Sequence, residues 1–128
     1  MAKKILIIDD DAELREAMAT LLRAKGYVVS TASDGQKGFE KAKQEPPNLI
    51  ILDVMMAHKT EGYEVARSFR DDDKTKTIPI VMVTGVKREI DLGFDVKPDE
   101  YWLPVKAVLE KPVKPELLLK TVDQYILD

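Results

Sequence analysis

Ile5-Leu6-Ile7-Ile8-Asp9-Asp10 carries four apolar residues straight into two carboxylates. Three further short apolar runs end on polar, chemistry-bearing side chains in the same way. Leu49-Ile50-Ile51-Leu52 meets Asp53, Ile80-Val81-Met82-Val83 meets Thr84, and the stretch from Val105 to Glu110 meets Lys111-Pro112. In the Asn48–Asp53 run, consecutive apolar residues read as a central strand buried on both faces, the kind found inside a parallel sheet. As neighbours, the four strands would bring three carboxylates, a hydroxyl and an ammonium to one edge of one sheet. In open α/β sheets, ligands bind at that edge, beyond the carboxyl ends of the strands.

Helical patterns fill the spaces between the runs. Leu14, Ala17, Met18, Leu21 and Leu22 form the stripe of a helix with one buried face. Asp11 is placed to cap its start and Gly26 to end it. Tyr27-Val28-Val29-Ser30-Thr31-Ala32 is strand-like, since β-branched residues suit a pleated surface. A turn at Ser33-Asp34-Gly35 opens a second helix to about Gln44, with Phe39 and Ala42 inward, and Pro46-Pro47 stops it. A third helix is expected over Gly62–Arg70, with Val65, Ala66 and Phe69 facing the core. Pro79 opens the fourth strand. Pro115 suits the first turn of a last helix, whose inner stripe is Leu118, Val122, Tyr125 and Ile126. Five βα units with short connections predict a parallel sheet, right-handed crossovers and helices on both faces. The stretch Val86–Pro104 is poorly patterned, because Gly93, Pro98 and Pro104 break any long helix. A short helix plus an irregular loop is expected there.

Composition narrows the function classes. The 128 residues fit one domain, residues 1–128, able to bury a single core. Lysine and arginine number 20 against 23 acids, a formal charge of −3, and no basic run is present. That gives no electrostatic case for direct nucleic-acid binding. Without cysteine, neither disulfides nor thiolate metal sites can contribute. The apolar start is too short for a secretory leader and no run could span a bilayer, so a cytoplasmic protein without membrane contact is expected. Gly35, Gly38 and Gly62 do not form a phosphate-cradling loop, and His58 has no second histidine to share a transition metal.

The order acid pair, acid, hydroxyl, Lys-Pro resembles the receiver domain of bacterial response regulators, and the resemblance covers nearly the whole chain. It implies a flavodoxin-like (CheY-like) α/β fold with strand order 2-1-3-4-5. It also implies a phosphoacceptor in two-component signalling that takes a phosphoryl group on Asp53 from a histidine kinase or phosphotransfer protein. Asp9, Asp10, Asp53 and the backbone carbonyl of Met55 would hold Mg²⁺, Asp10 more directly than Asp9. Thr84 and Lys111 would contact phosphoryl oxygens, and the Lys111-Pro112 bond matches a family cis peptide. A receiver takes part in its own phosphorylation and dephosphorylation without being an enzyme in the ordinary sense. An aspartyl-phosphate hydrolase would want an acid/base carboxylate two residues after Asp53, where Met55 stands.

The chain departs from the family pattern in places. Ala57 replaces a common proline, Gly62-Tyr63-Glu64 comes one residue late, and Val108 occupies the position three before the lysine where many receivers carry an aromatic. These departures keep a degenerate, phosphorylation-independent interaction module as the alternative. Met55 and Val86 are apolar where polar residues could orient a hydrolytic water, so a long-lived phosphoryl group is expected. Phe94, Tyr101 and Trp102 offer either packing or a replacement mobile element. The chain stops just after its last helix, which fits either a stand-alone receiver or one excised from a longer protein.

Overall fold

The computed structural model describes residues 2–53, 61–84 and 105–127, with the backbone alone at 61–63. The described elements are β1 (Lys4–Ile8), α1 (Ala12–Ala24), β2 (Val28–Ala32), α2 (Gly35–Gln44), β3 (Leu49–Asp53), α3 (Glu61–Arg70), β4 (Ile80–Thr84), β5 (Ala107–Glu110) and α4 (Pro115–Tyr125). The strands form one sheet in the order β2-β1-β3-β4-β5, and every neighbouring pair is parallel. This is the order that the resemblance implied. The short helix expected within Val86–Pro104 lies outside the described residues.

Alternation along the strands splits the core in two. Ile5, Ile7, Leu49, Ile51, Val81 and Val83 pack with Met18 and Leu22 of α1 and with Leu118 and Val122 of α4. Leu6, Ile8, Ile50, Leu52, Ile80 and Met82 pack with Ala42 of α2 and with Ala66 and Phe69 of α3. All five residues of β3 and all five of β4 are buried, as central strands covered on both faces must be. Burying a leucine or isoleucine side chain contributes about 1.5–3 kcal/mol, so these two strands anchor the sheet.

Local signals explain the element ends. The Asp11 carboxylate accepts from the Leu14 amide and caps α1, and the Asp34 carboxylate does the same for α2 from Lys37. Gly26 ends α1 at φ +92°, a conformation most side chains resist. Two sequence expectations are corrected. The buried flank of α1 is Ala19, and Ala17 is exposed. The two alanines sit about 100° to either side of Met18, and the sheet lies on the Ala19 side. The fifth strand begins at Ala107, with Val105 buried ahead of it.

Candidate functional site

Strand register brings the chemistry together. Ile8 pairs with Leu52, so Asp9 and Asp53 leave adjacent strands at the same level. Asp53 pairs with Val83, which puts Thr84 one residue further out. Thr84 pairs with Glu110, which puts Lys111 one residue beyond that. The Lys111 amide donates to the Thr84 carbonyl at 2.8 Å, which ties the start of the Lys-Pro turn to the end of β4. The Lys111-Pro112 peptide is cis.

Carboxylate oxygens of Asp9, Asp10 and Asp53 all lie within 4.8 Å of one another. Asp9 and Asp53 are each about 1% exposed, while Asp10 faces solvent. Lys111 Nζ stands 3.3 Å from Asp53 Oδ1 and 3.7 Å from Asp9 Oδ2. Thr84 is also buried at the same edge. Among the described residues, the predicted residues therefore converge on one sheet edge. Met55, His58, Ala57, Val86 and the aromatics Phe94, Tyr101 and Trp102 lie outside them.

The two oxygens of Asp9 have different surroundings. Oδ1 accepts the Asp11 amide at 2.9 Å. Oδ2 is buried, accepts no hydrogen bond, and has the Lys111 ammonium as its charged neighbour. Burial pushes the Asp9 carboxyl up to about 6 from an ordinary 3.8; the Asp11 amide opposes this, Asp53 adds to it, Lys111 opposes it and Asp10 adds to it. Three carboxylates against one ammonium leave two negative charges to be neutralised. An all-oxygen donor set with a buried, unbonded carboxylate oxygen fits a hard divalent cation such as Mg²⁺.

One contributor was not anticipated. Arg15 Nη1 donates to the Asp9 backbone carbonyl at 2.7 Å and so pins the loop that carries the acid pair. A cation near the start of a helix opposes the macrodipole, and this placement was the available sequence signal.

The response regulator receiver domain model matches residues 5–123. The chain is 40% identical over 103 residues to the alkaline phosphatase synthesis transcriptional regulatory protein PhoP of Bacillus subtilis, covering 79% of this chain and 42% of that protein. It is 37% identical over 123 residues to the DNA-binding dual master transcriptional regulator RpaA of Synechocystis sp., covering 94% of this chain and 51% of that protein. The solved structure of the Vibrio cholerae chemotaxis protein CheY4 matches with a TM-score of 0.83 at 30% identity, over 98% of this chain and all of that one. The chain belongs to the response regulator receiver domain family, whose work is two-component signalling. It spans about half the length of the curated relatives it matches.

Proposed function

We propose that Asp53 accepts a phosphoryl group from a phosphohistidine of a sensor histidine kinase or phosphotransfer protein, in a Mg²⁺-dependent reaction, and that the aspartyl phosphate controls a downstream protein. The observation that carries this reading is the Lys111 ammonium, 3.3 Å from the buried Asp53 carboxylate, at an edge that also holds Asp9, Asp10 and Thr84. A carboxylate serving only as a turn or helix cap has no need of two neighbouring acids and a half-buried cation.

In the reaction, an oxygen of Asp53 attacks phosphorus as the bond from phosphorus to the donor imidazole nitrogen breaks. That nitrogen leaves with the bonding pair and takes up a proton. Asp9, Asp10 and Asp53 would hold Mg²⁺, with the Met55 carbonyl as the ligand the resemblance adds. When bound, the ion neutralises charge on the phosphoryl oxygens. The Lys111 ammonium supplies a further charge to those oxygens, and the Thr84 hydroxyl donates a hydrogen bond to one of them. The domain takes part in its own phosphorylation and dephosphorylation but is not a turnover enzyme. The occupied and unoccupied states differ in free energy through these contacts, which shifts a two-state equilibrium toward one that binds the partner.

Protein partners suit a chain of net charge −3. The DNA binding named for the Synechocystis relative is that protein's property, and this chain spans 51% of it. No helix among the described residues is long and apolar enough to cross a membrane. Val108, half-buried and paired with Met82, favours the second reading, a partner-binding receiver that works without phosphorylation.

One experiment separates the two readings. Purified protein incubated with Mg²⁺ and acetyl phosphate should gain one phosphoryl group, located on Asp53 by mass spectrometry. Asp53→Ala should gain none. Labelling that survives in Asp53→Ala removes the assignment, and a folded parent that stays unlabelled supports the second reading.

A further inference from the structure

The outer edge of the sheet carries an arrangement that the functional site does not use. The Val28 amide donates to the Lys3 carbonyl, and the Ala32 carbonyl accepts from Asp9. In a parallel ladder, alternate residues bond to one neighbour, so Val28, Ser30 and Ala32 face β1. Val29 and Thr31 therefore turn their backbone groups away from the sheet. Both outward carbonyls are taken by cations. Arg23 Nη2 of α1, on one face of the sheet, donates to the Val29 carbonyl at 3.0 Å. Lys41 Nζ of α2, on the other face, donates to the Thr31 carbonyl.

Without those cations the edge would be receptive to another strand. An edge strand presents unpaired backbone groups in register, a template for pairing with another chain. The segment from Tyr27 to Ala32 holds no charged residue, and half of it is β-branched, a composition that favours strand pairing. Val28 is 51% exposed. Beside it lies a groove of about 360 Å³, with Leu6, Val28 and Pro47 as apolar walls against which an incoming strand could bury side chains.

We infer that Arg23 and Lys41 close the β2 edge, and that the partner they exclude is the β2 strand of a second copy of this chain, adding antiparallel across it. The uncharged run suits itself, because two antiparallel copies face each other without opposed charges. Arg23 and Lys41 act against that approach in two ways. They occupy the outward carbonyls, and they place like charges from the two copies against each other.

The test uses the double variant Arg23→Ala/Lys41→Ala. Two comparisons accompany it: Arg23→Lys/Lys41→Arg, which keeps both donors, and Lys106→Ala/Lys120→Ala, which removes two exposed charges, one just ahead of β5 at the opposite edge of the sheet and one on α4. Sedimentation velocity over a concentration series should show the double alanine variant associating at a concentration at least tenfold below that of the parent. Both comparison variants should follow the parent. Amide exchange at Val29 and Thr31 should become protected in the associated variant, since these outward amides would then donate to the second copy. A folded double variant that sediments as the parent does overturns the inference. So does association that leaves exchange at Val29 and Thr31 unchanged. If the double variant does not fold, the single substitutions Arg23→Ala and Lys41→Ala decide the matter: each opens one carbonyl, and the inference fails if neither shifts association.

Discussion

Lys111 Nζ lies 3.3 Å from Oδ1 of Asp53, although the two residues leave strands that β4 separates. The side chain spans the end of the intervening strand, and the Lys111 amide is fastened to that strand through the Thr84 carbonyl at 2.8 Å. Its ammonium also stands 3.7 Å from Asp9, so one cation, 25% exposed, faces two carboxylates that are each 1% exposed. Two like charges about 4 Å apart repel by about 4 kcal/mol at an effective dielectric of 20. Lys111 offsets part of that repulsion, and its backbone bond to Thr84 keeps it in reach.

Lys111→Met separates the two jobs of the ammonium. The amide bond to Thr84 survives, since it involves backbone alone. Removing the positive charge leaves the acid cluster more negative, so Mg²⁺ affinity measured by calorimetry should hold or rise. Phosphorylation by acetyl phosphate should slow roughly 100-fold, the scale seen when one charge-stabilising group is removed from a transition state. Parallel loss of metal affinity and labelling would contradict this division of roles.

The raised Asp9 carboxyl gives a pH dependence with a definite sign. Its folded value is about 6 against 3.8 unfolded, so between these pH values the folded state keeps a proton that the unfolded state has released. Stability from this group is therefore full below about pH 4 and is lost as pH rises through about 6. Asp9→Asn keeps an oxygen for the Asp11 amide and removes the charge. In chelator, the variant should melt higher than the parent at pH 7, by a margin on the order of a few kcal/mol in stability. The margin should shrink toward zero near pH 4, because the parent is then neutral at this position too. A margin that does not change with pH would mean that Asp9 is not the titrating group.

The strand ends were legible because fully buried strands must be apolar throughout, so the first polar residue marks where each strand meets the edge. Asp9, Asp53 and Thr84 mark strand ends in that way, whereas Lys111 follows Glu110 on a half-buried edge strand and was legible from the Lys-Pro pair. Strand order was not legible from pattern, since nothing in Leu49–Asp53 says which neighbour it pairs with; only the resemblance supplied it. Helix facing was legible to within one position: Met18 and Leu22 are buried as expected, but alanine is apolar enough to suit either flank, and the choice between Ala17 and Ala19 belongs to tertiary packing. Arg15 escaped notice because its partner is a backbone carbonyl, which leaves no complementary side chain in the sequence to find.

Gly38 connects packing to the site. A Cβ there would lie 2.3 Å from Ile8 Cδ1 and 2.6 Å from Ile8 Cγ1, well inside contact distance. Ile8 is fully buried and directly precedes Asp9. Gly38→Ala should destabilise by about 1–3 kcal/mol through overpacking, despite alanine's better helix propensity. Adding Ile8→Val removes the Cδ1 atom and should recover part of the loss, so that a double-mutant cycle in urea shows coupling. Strict additivity would place the strain elsewhere.

Arg15 should matter to the metal without touching it. Its Nη1 bond to the Asp9 carbonyl joins α1 to the acid loop, whose other ties include the Asp9 amide on the Ala32 carbonyl at 3.1 Å and the Asp11 amide on Asp9 Oδ1. Arg15→Ala removes one tie and frees the loop to sample geometries in which Asp9 and Asp10 no longer converge. Arg15 is also a cation near an acid cluster, and losing its charge alone would favour a divalent ion. The two effects oppose each other, and their balance can be measured. Loss of a group that orients a ligand typically costs 10–100-fold in metal affinity, so Mg²⁺ binding to Arg15→Ala should weaken roughly tenfold by calorimetry. Arg15→Lys keeps the charge and one donor and should recover part of that loss. Tighter binding in Arg15→Ala would show that charge outweighs positioning, and the bond to the Asp9 carbonyl would then be packing alone.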